Sequence, residues 1–493
     1  MELLIGWAEE SLVPVKKTRL AGQFYERISE YVESPITVTA MAVERGDQQL
    51  ILMSADLTLM GGHILKLARE EFARICPGVA SEALVVSVTH THTSLMLPPA
   101  PNIGNAPTAK EILEEFLPAD QQYKPLVTPD ADVITPEESQ ALVVKKIALA
   151  AKRAWENRAQ AYYANEFGRA AVGMCRRVVY ADGSAQMWGD VNTPDFLSLE
   201  GGNDSGMELL YTFDKDKKLT GVVANIACPA QILEHRSFIS ADFWGRAKAI
   251  LREKLGEDVY LLGLGGAGGD QCPRDLVRWV APETPINDPN IKRPNLLKRK
   301  ADASMFDLSG CNRVGKRIAN EILSVLEEVT ELQSDGVFCH KTFTWDMPLR
   351  NASAREYEYA VSELQNYVKS KDSFNFEDHA MMYVHTGTIK RYREQQFASV
   401  YPIECHIIRL GDIAMATNPF ELFLDYANRI KAQSFAQQTF IIQLCCGSGG
   451  YLPTEKAEKG GHYSAYISSG NVGHQGGDLL VRQTLEEINR LFL

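Results

Sequence analysis

The sequence predicts an α/β protein built from layered mixed sheets flanked by helices. Three observations carry that expectation. Residues 35–88 run hairpin, helix, strand, the succession that makes an α/β layer. Several short apolar runs, bounded by Gly, Pro or Asp, have strand length and composition. Between them lie segments whose apolar residues recur near a 3.6-residue period.

The elements follow in order. Pro35 to Val43 and Leu50 to Asp56 form a hairpin about the Glu44-Arg45-Gly46-Asp47 turn, the second strand delivering Asp56 at its end. A helix over 62–75 has Ile64, Leu65, Leu67, Ala68, Phe72 and Ile75 near a 3.6-residue period and is stopped by Cys76-Pro77-Gly78. The strand 83–88 runs into Thr89-His90-Thr91-His92-Thr93. Residues 95–134 read as an irregular excursion of the kind that forms a rim or lid. Thr135-Pro136-Glu137-Glu138 then opens a helix to about 157, with Thr as cap, Pro at the first position and Glu at the third. From 159 to 230 the pattern is β, with a turn at Tyr180-Ala-Asp-Gly183. A helix at 242–255 precedes Val259 to Leu264, which breaks into Gly265-Gly-Ala-Gly-Gly-Asp270. Residues 277–308 hold Pro282, Pro285, Pro289 and Pro294, which suits a mobile loop or a contact between copies in a homo-oligomer. Helices are expected at 311–329, 353–370 and 477–491, and a hairpin at 407–417. The whole reads as one unit, 1–493, divisible into α/β subdomains of about 1–335 and 336–493.

Composition narrows the function classes. At 493 residues, 45% hydrophobic and 23% charged, the chain can bury a large core. A net charge of −12 without a basic cluster argues against nucleic acid as a partner. No apolar run approaches membrane-spanning length, so no stable insertion is expected. The N-terminus, with Glu9-Glu10, reads as a mature start rather than a leader. Nine scattered cysteines without a CxxC suit reduced thiols and a cytoplasmic location.

The chemistry gathers at strand ends: Asp56, the His pair, Cys228, the 265–270 turn and Tyr451, with Glu421 opening a helix after a further strand. Strand ends carry ligands in layered folds because the scaffold is rigid and the loops are free to present polar groups. In an extended strand His90 and His92 share a face. That suits a metal site or an acid/base pair, and equally two satisfied polar residues at a strand end.

The order of these segments resembles the neutral/alkaline, non-lysosomal ceramidases. Their Thr-His-Thr-His-Ser motif is matched by Thr89-His90-Thr91-His92-Thr93, and their Asn-Ala-Asp strand end by Ser54-Ala55-Asp56. Their Asn-Arg segment is similar to Cys175-Arg176-Arg177, and their Asn-Leu-Gly-Asp-Val-Ser-Pro turn to Ala267-Gly-Gly-Asp270-Gln-Cys-Pro273. Asn418-Pro419-Phe420-Glu421 and Gly450-Tyr451 match a Pro-Gly-Glu and a Gly-Tyr segment, so the resemblance runs from about residue 35 to 470. It implies a small-molecule substrate and a catalytic Zn2+ whose bound water attacks an amide or ester. By the same carry-over His90, Glu421 and Tyr451 are ligands, His92 and Arg176 contact the substrate, and Asp270 belongs to the active-site turn.

Two departures qualify the match. Where the family has a second ligating His, this chain reads Ala227-Cys228-Pro229-Ala230-Gln231, leaving His235, Cys228 as thiolate, or an incomplete site. The Ser that precedes Gly-Asp in the family has glycines, Gly265 and Gly266, in its neighbourhood here. No counterpart of the family's C-terminal β-sandwich domain is expected, and Leu95-Met96-Leu97 reads as packing, so a soluble substrate is expected over a two-tailed lipid. Trp188, Asp190, Asn192, Asp195, Trp244 and His462 are candidates to line a sugar-sized pocket. Two other readings stand beside the hydrolase: a non-catalytic metal- or carbohydrate-binding protein, and a metal-independent carbohydrate-active enzyme using His90, His92 and Asp270.

Overall fold

A computed structural model describes residues 1–103, 106–121, 130–277, 307–374 and 376–493. Eight strands form the main sheet in the order Tyr260–Gly265, Leu219–Ile226, Gly206–Asp214, Ala159–Arg169, Leu4–Ser11, Thr37–Arg45, Gln48–Ala55, Leu84–Val88. The outermost pair at each edge is parallel and the inner pairs are antiparallel. Each parallel pair needs a crossover, supplied by the helices Gly62–Ile75 and Asp242–Leu255. The two halves of the sheet meet face to face. Ser54 Oγ donates to Gly263 O at 2.5 Å, and Trp7, whose Nε1 reaches Thr212 Oγ1 at 3.0 Å, stacks on Tyr260.

A second sheet orders Phe338–Pro348, Val400–Leu410, Ile413–Thr417 and Gln438–Ile442, the last pair parallel. Its residues Ile408, Met415 and Phe440 share one buried core with Val38, Leu52 and Val86 of the first. Both sheets are mixed and covered by helices, as the α/β reading requires. No helix among the described residues is long and apolar enough to cross a membrane. All nine cysteines are free.

Local signals placed several boundaries closely. The helix Pro136–Glu156 carries the expected cap, with Thr135 accepting from the Glu138 N–H and Glu138 from the Thr135 N–H. The helices Gly62–Ile75, Asp307–Leu326, Ala354–Lys369 and His474–Phe492 lie where periodicity puts them. Other readings need correction. The excursion 95–134 contains the helix Ala109–Phe116, capped by a Thr108/Glu111 box of the same kind. The helix Phe376–Glu394 escapes periodicity because Met382 and Ile389 are buried while Met381 and Tyr383 are exposed. The proline-rich segment 277–308 lies outside the described residues apart from 277, 307 and 308.

Candidate metal centre at the strand ends

The His pair is not part of a strand. Leu84–Val88 ends before it, and His90 takes a left-handed backbone with φ of 63°. Strand alternation therefore does not align the two rings. Their local turn does, bringing the ring centroids to 4.8 Å, nearly perpendicular. Asp56 holds this turn from behind, accepting from Thr37 N at 2.9 Å and Thr89 Oγ1 at 3.2 Å. It is buried, and burial raises its pKa. Asp56 is thus a brace.

His90 Nδ1 lies 2.7 Å from Thr58 O, which can only accept, so the proton sits on Nδ1 and the Nε2 lone pair is free. That Nε2 faces Glu421 Oε2 at 3.6 Å. Glu421–Leu422 pairs in parallel with Tyr451–Leu452, putting Glu421 directly opposite Tyr451. The Tyr451 hydroxyl is 3.0 Å from that of Tyr463. Burial, then the negative charge of Glu421, pushes the Tyr451 phenol well above its ordinary pKa. His90 thus faces Glu421, with Tyr451 beside Glu421 in register, donor types that suit a divalent cation, and a backbone carbonyl fixes the tautomer of His90.

His92 is a different kind of histidine. Neither ring nitrogen has a hydrogen-bond partner among the described residues, and Nδ1 stands 3.5 Å from Glu234 Oε2. Burial, with His90, Arg27 and Arg176 nearby, pushes its pKa well below the ordinary value, so the ring is neutral. Arg27 supports it from the backbone side, donating to His92 O at 2.7 Å. Arg176 is 1% exposed and donates to Gly269 O at 3.0 Å, while its Nε has no partner among the described residues. It also lies 5.6 Å from the Trp188 ring.

His92, Arg176 and Trp188 line one cavity of about 360 Å³, whose walls also include Gln231, Glu234, His235 and Tyr463. Tyr463 links it to Tyr451, and His92 links it to His90. Of the six residues expected to line a sugar-sized pocket, Trp188 is among its walls. Trp244 is 2% exposed and packs on Gly263 in the core, so it is removed from that role.

The two expected substitutes for the second histidine are placed differently from one another. His235 is at the rim, its side chain 62% exposed, with Nδ1 3.2 Å from Tyr25 OH. Cys228 is fully buried beside Val172 O, and burial holds its thiol well above the ordinary pKa, which disfavours the thiolate. The side chain that turns inward is Glu234, 13% exposed, whose pKa is raised by burial. Sequence reasoning stopped at His235 and passed over its neighbour. The only cue was the adjacency of an acid to a histidine, which does not say which of the two points inward.

Asp270 is also placed differently. Its backbone O accepts from Arg176 N at 2.9 Å, but its side chain accepts from Leu424 N at 3.0 Å and faces another cavity, about 350 Å³. It carries no hydrogen bond to either histidine among the described residues. Burial, partly opposed by hydrogen bonds from Leu424 and Gln271, pushes it up to about 6. The metal-free acid/base reading with His90 and His92 therefore lacks its acid. Gln443 ties the turns together, its Oε1 accepting from both Gly268 N (3.0 Å) and Leu422 N (3.1 Å).

A second donor group lies elsewhere. One donor atom each from Glu404, His406 and Cys446 falls within 4.8 Å of the others. None of the three was read as a metal ligand from the sequence.

No family model matches the sequence, and no curated protein matches it. Solved structures do. Neutral ceramidase from Pseudomonas aeruginosa matches with a TM-score of 0.66, over 100% of this chain and 74% of that one, at 13% identity. A structure described as ceramidase complexed with C2 matches with the same TM-score and identity, over 100% of this chain and 75% of that one. The fold is ceramidase-like.

Proposed function

With a ceramidase-like fold as the premise, we propose that this chain is a zinc-dependent hydrolase cleaving an amide or ester bond in a small soluble substrate. The observation that carries the reading is the convergence of His90 Nε2, with its tautomer fixed by Thr58 O, on Glu421, which stands in register with Tyr451. These three side chains would hold the ion. When bound, zinc supplies a Lewis acid that makes water nucleophilic near neutral pH.

The chain's own groups have separable tasks. Arg176, held by Gly269 O and permanently cationic, faces the cavity and can steady negative charge developing on a substrate oxygen. Neutral His92, with both nitrogens unpartnered, can accept or donate a hydrogen bond at the scissile group. Glu234 beside it has a raised pKa and is placed to exchange a proton with His92 or a leaving group. The cavity is of small-ligand size, and His92, Arg176, Gln231 and Glu234 share its lining with Phe24, Trp188 and Tyr463, which suits a compact substrate with both polar and apolar surface.

The test is metal content. Wild type loaded with zinc and desalted is expected to hold one ion at this site, and Glu421→Ala and Tyr451→Phe to lose or weaken it. His235→Ala should leave the content unchanged, because its side chain is turned to Tyr25 at the rim. A wild type whose zinc content is unaffected by Glu421→Ala would remove the ligand assignment. A panel of N-acyl sugars, small amides and lactones, read with His92→Ala, separates a hydrolase from a binding protein on the same fold.

A further inference from the structure

We infer that Glu404, His406 and Cys446 form a second, thiolate-containing site for a borderline divalent cation such as Zn2+ or Co2+, sharing no residue with the strand-end centre. Glu404 and His406 lie two apart on the strand Val400–Leu410 and so share a face. Cys446 comes from the turn after Gln438–Ile442, with its N–H on Val86 O at 2.8 Å. His406 Nε2 is 2.8 Å from Glu404 Oε1 and 3.5 Å from Cys446 Sγ. Four tetrahedral donors around zinc stand roughly 3.3–3.8 Å apart, given bond lengths of about 2.0–2.3 Å. The cluster therefore needs only small side-chain movements to close on an ion.

Proton positions support a ligand role for Nε2. His340 Nδ1 is 2.8 Å from Gln49 O, which can only accept, so Nδ1 carries the proton and His340 Nε2 is an acceptor. That Nε2 lies 2.9 Å from His406 Nδ1, which must donate. The nitrogen left to meet Glu404 and Cys446 is Nε2, which binds either a proton or a metal. A histidine whose second nitrogen is fixed by a neighbour in this way is the usual arrangement around a metal ligand. Arg69 grips both Glu404 oxygens, at 2.6 and 2.9 Å, orienting the carboxylate.

A nucleophilic triad has the same composition, yet Cys446 is 6% exposed and His406 0%, so a substrate does not reach the sulfur. A cation can enter past Glu404, whose side chain is 27% exposed, displacing the Nε2 proton to solvent. Bound there, it would clip the second sheet to the turn that leads on to Tyr451.

Cobalt(II) titration of the whole protein tests this separately from the proposed hydrolase site, which contains no cysteine. Wild type should develop a sulfur-to-cobalt charge-transfer band in the near ultraviolet. Cys446→Ser, checked for folding by circular dichroism, should lose it, and Glu404→Gln should weaken cobalt binding at least tenfold. Cys445→Ser and Glu421→Gln should keep the band. No band in wild type at saturating cobalt, or an undiminished band in Cys446→Ser, overturns the site. If Cys446→Ser fails to fold, the Glu404→Gln titration decides alone, and unchanged affinity there overturns it.

Discussion

Replacing Gly269 with Ala tests whether the candidate centre depends on a close backbone approach rather than on its ligands alone. Gly269 donates from N to Leu422 O at 2.8 Å, and a Cβ there would lie 2.4 Å from Glu421 O and 2.8 Å from Glu421 C. Ordinary contact begins at 3.4 Å, so the Glu421 peptide has to retreat by about 1 Å. Backbone paired with Tyr451–Leu452 cannot move alone, and the displacement reaches the carboxylate facing His90. Overpacking of this kind costs about 1–3 kcal/mol, well within a typical domain stability of about 5–15 kcal/mol, so the variant should remain folded. Misorienting a ligand without removing it should weaken zinc roughly 10–100-fold, as loss of a supporting interaction does. The assay is competition of the protein against a chromophoric chelator, with Gly202→Ala as control, since nothing lies within 4 Å of a Cβ there. A folded Gly269→Ala protein with wild-type zinc affinity would show that the Glu421 peptide is not held as described.

Two further outcomes follow from buried charges. Asp270, raised to about 6 from an ordinary 3.8, favours the protonated form when folded, so its contribution is fully present below the unfolded value and is lost as pH rises through about 6. Asp270→Asn keeps an acceptor for Leu424 N and cannot ionise. It should therefore gain up to about 3 kcal/mol over wild type at pH 8, the gap closing towards pH 4 in urea melts; a gap that widens on acidification would reverse the assignment. Arg177 is fully buried and grips Glu200 at 2.6 and 3.0 Å. Arg177→Met should cost about 3–5 kcal/mol by stranding that carboxylate, and Arg177→Met/Glu200→Met should recover much of it in thermal melts. A double variant no more stable than the single one would show that the loss is packing rather than stranded charge.

Much of this protein was settled by local sequence. Thr135, Pro136 and Glu138 set a helix start through caps made within four residues, and the 3.6 period of Ile64, Leu65, Ala68 and Phe72 set a buried face. The motif order around His90, Arg176, Glu421 and Tyr451 pointed to the fold that the solved ceramidase structures share. Such signals survive in sequence because each depends on residues close together in the chain.

Tertiary structure decided which of these residues meet, and how. His90 and His92 approach through a left-handed turn rather than strand alternation, a backbone choice imposed by Asp56 and Thr58 from another strand end. Glu234 rather than His235 turns inward, and Asp270 turns away to Leu424, because each orientation depends on partners far along the chain. Glycines mark the same limit: a Cβ on Gly22 would meet the His92 ring at 2.5 Å and one on Gly470 would meet Tyr451 O at 2.0 Å. Nothing beside those glycines in sequence announces what presses on them. The Glu404, His406 and Cys446 cluster was illegible for the same reason, since strand pairing and a distant turn bring its donors together. Sequence names residues with the right chemistry; only the long-range packing determines which lone pairs face one another.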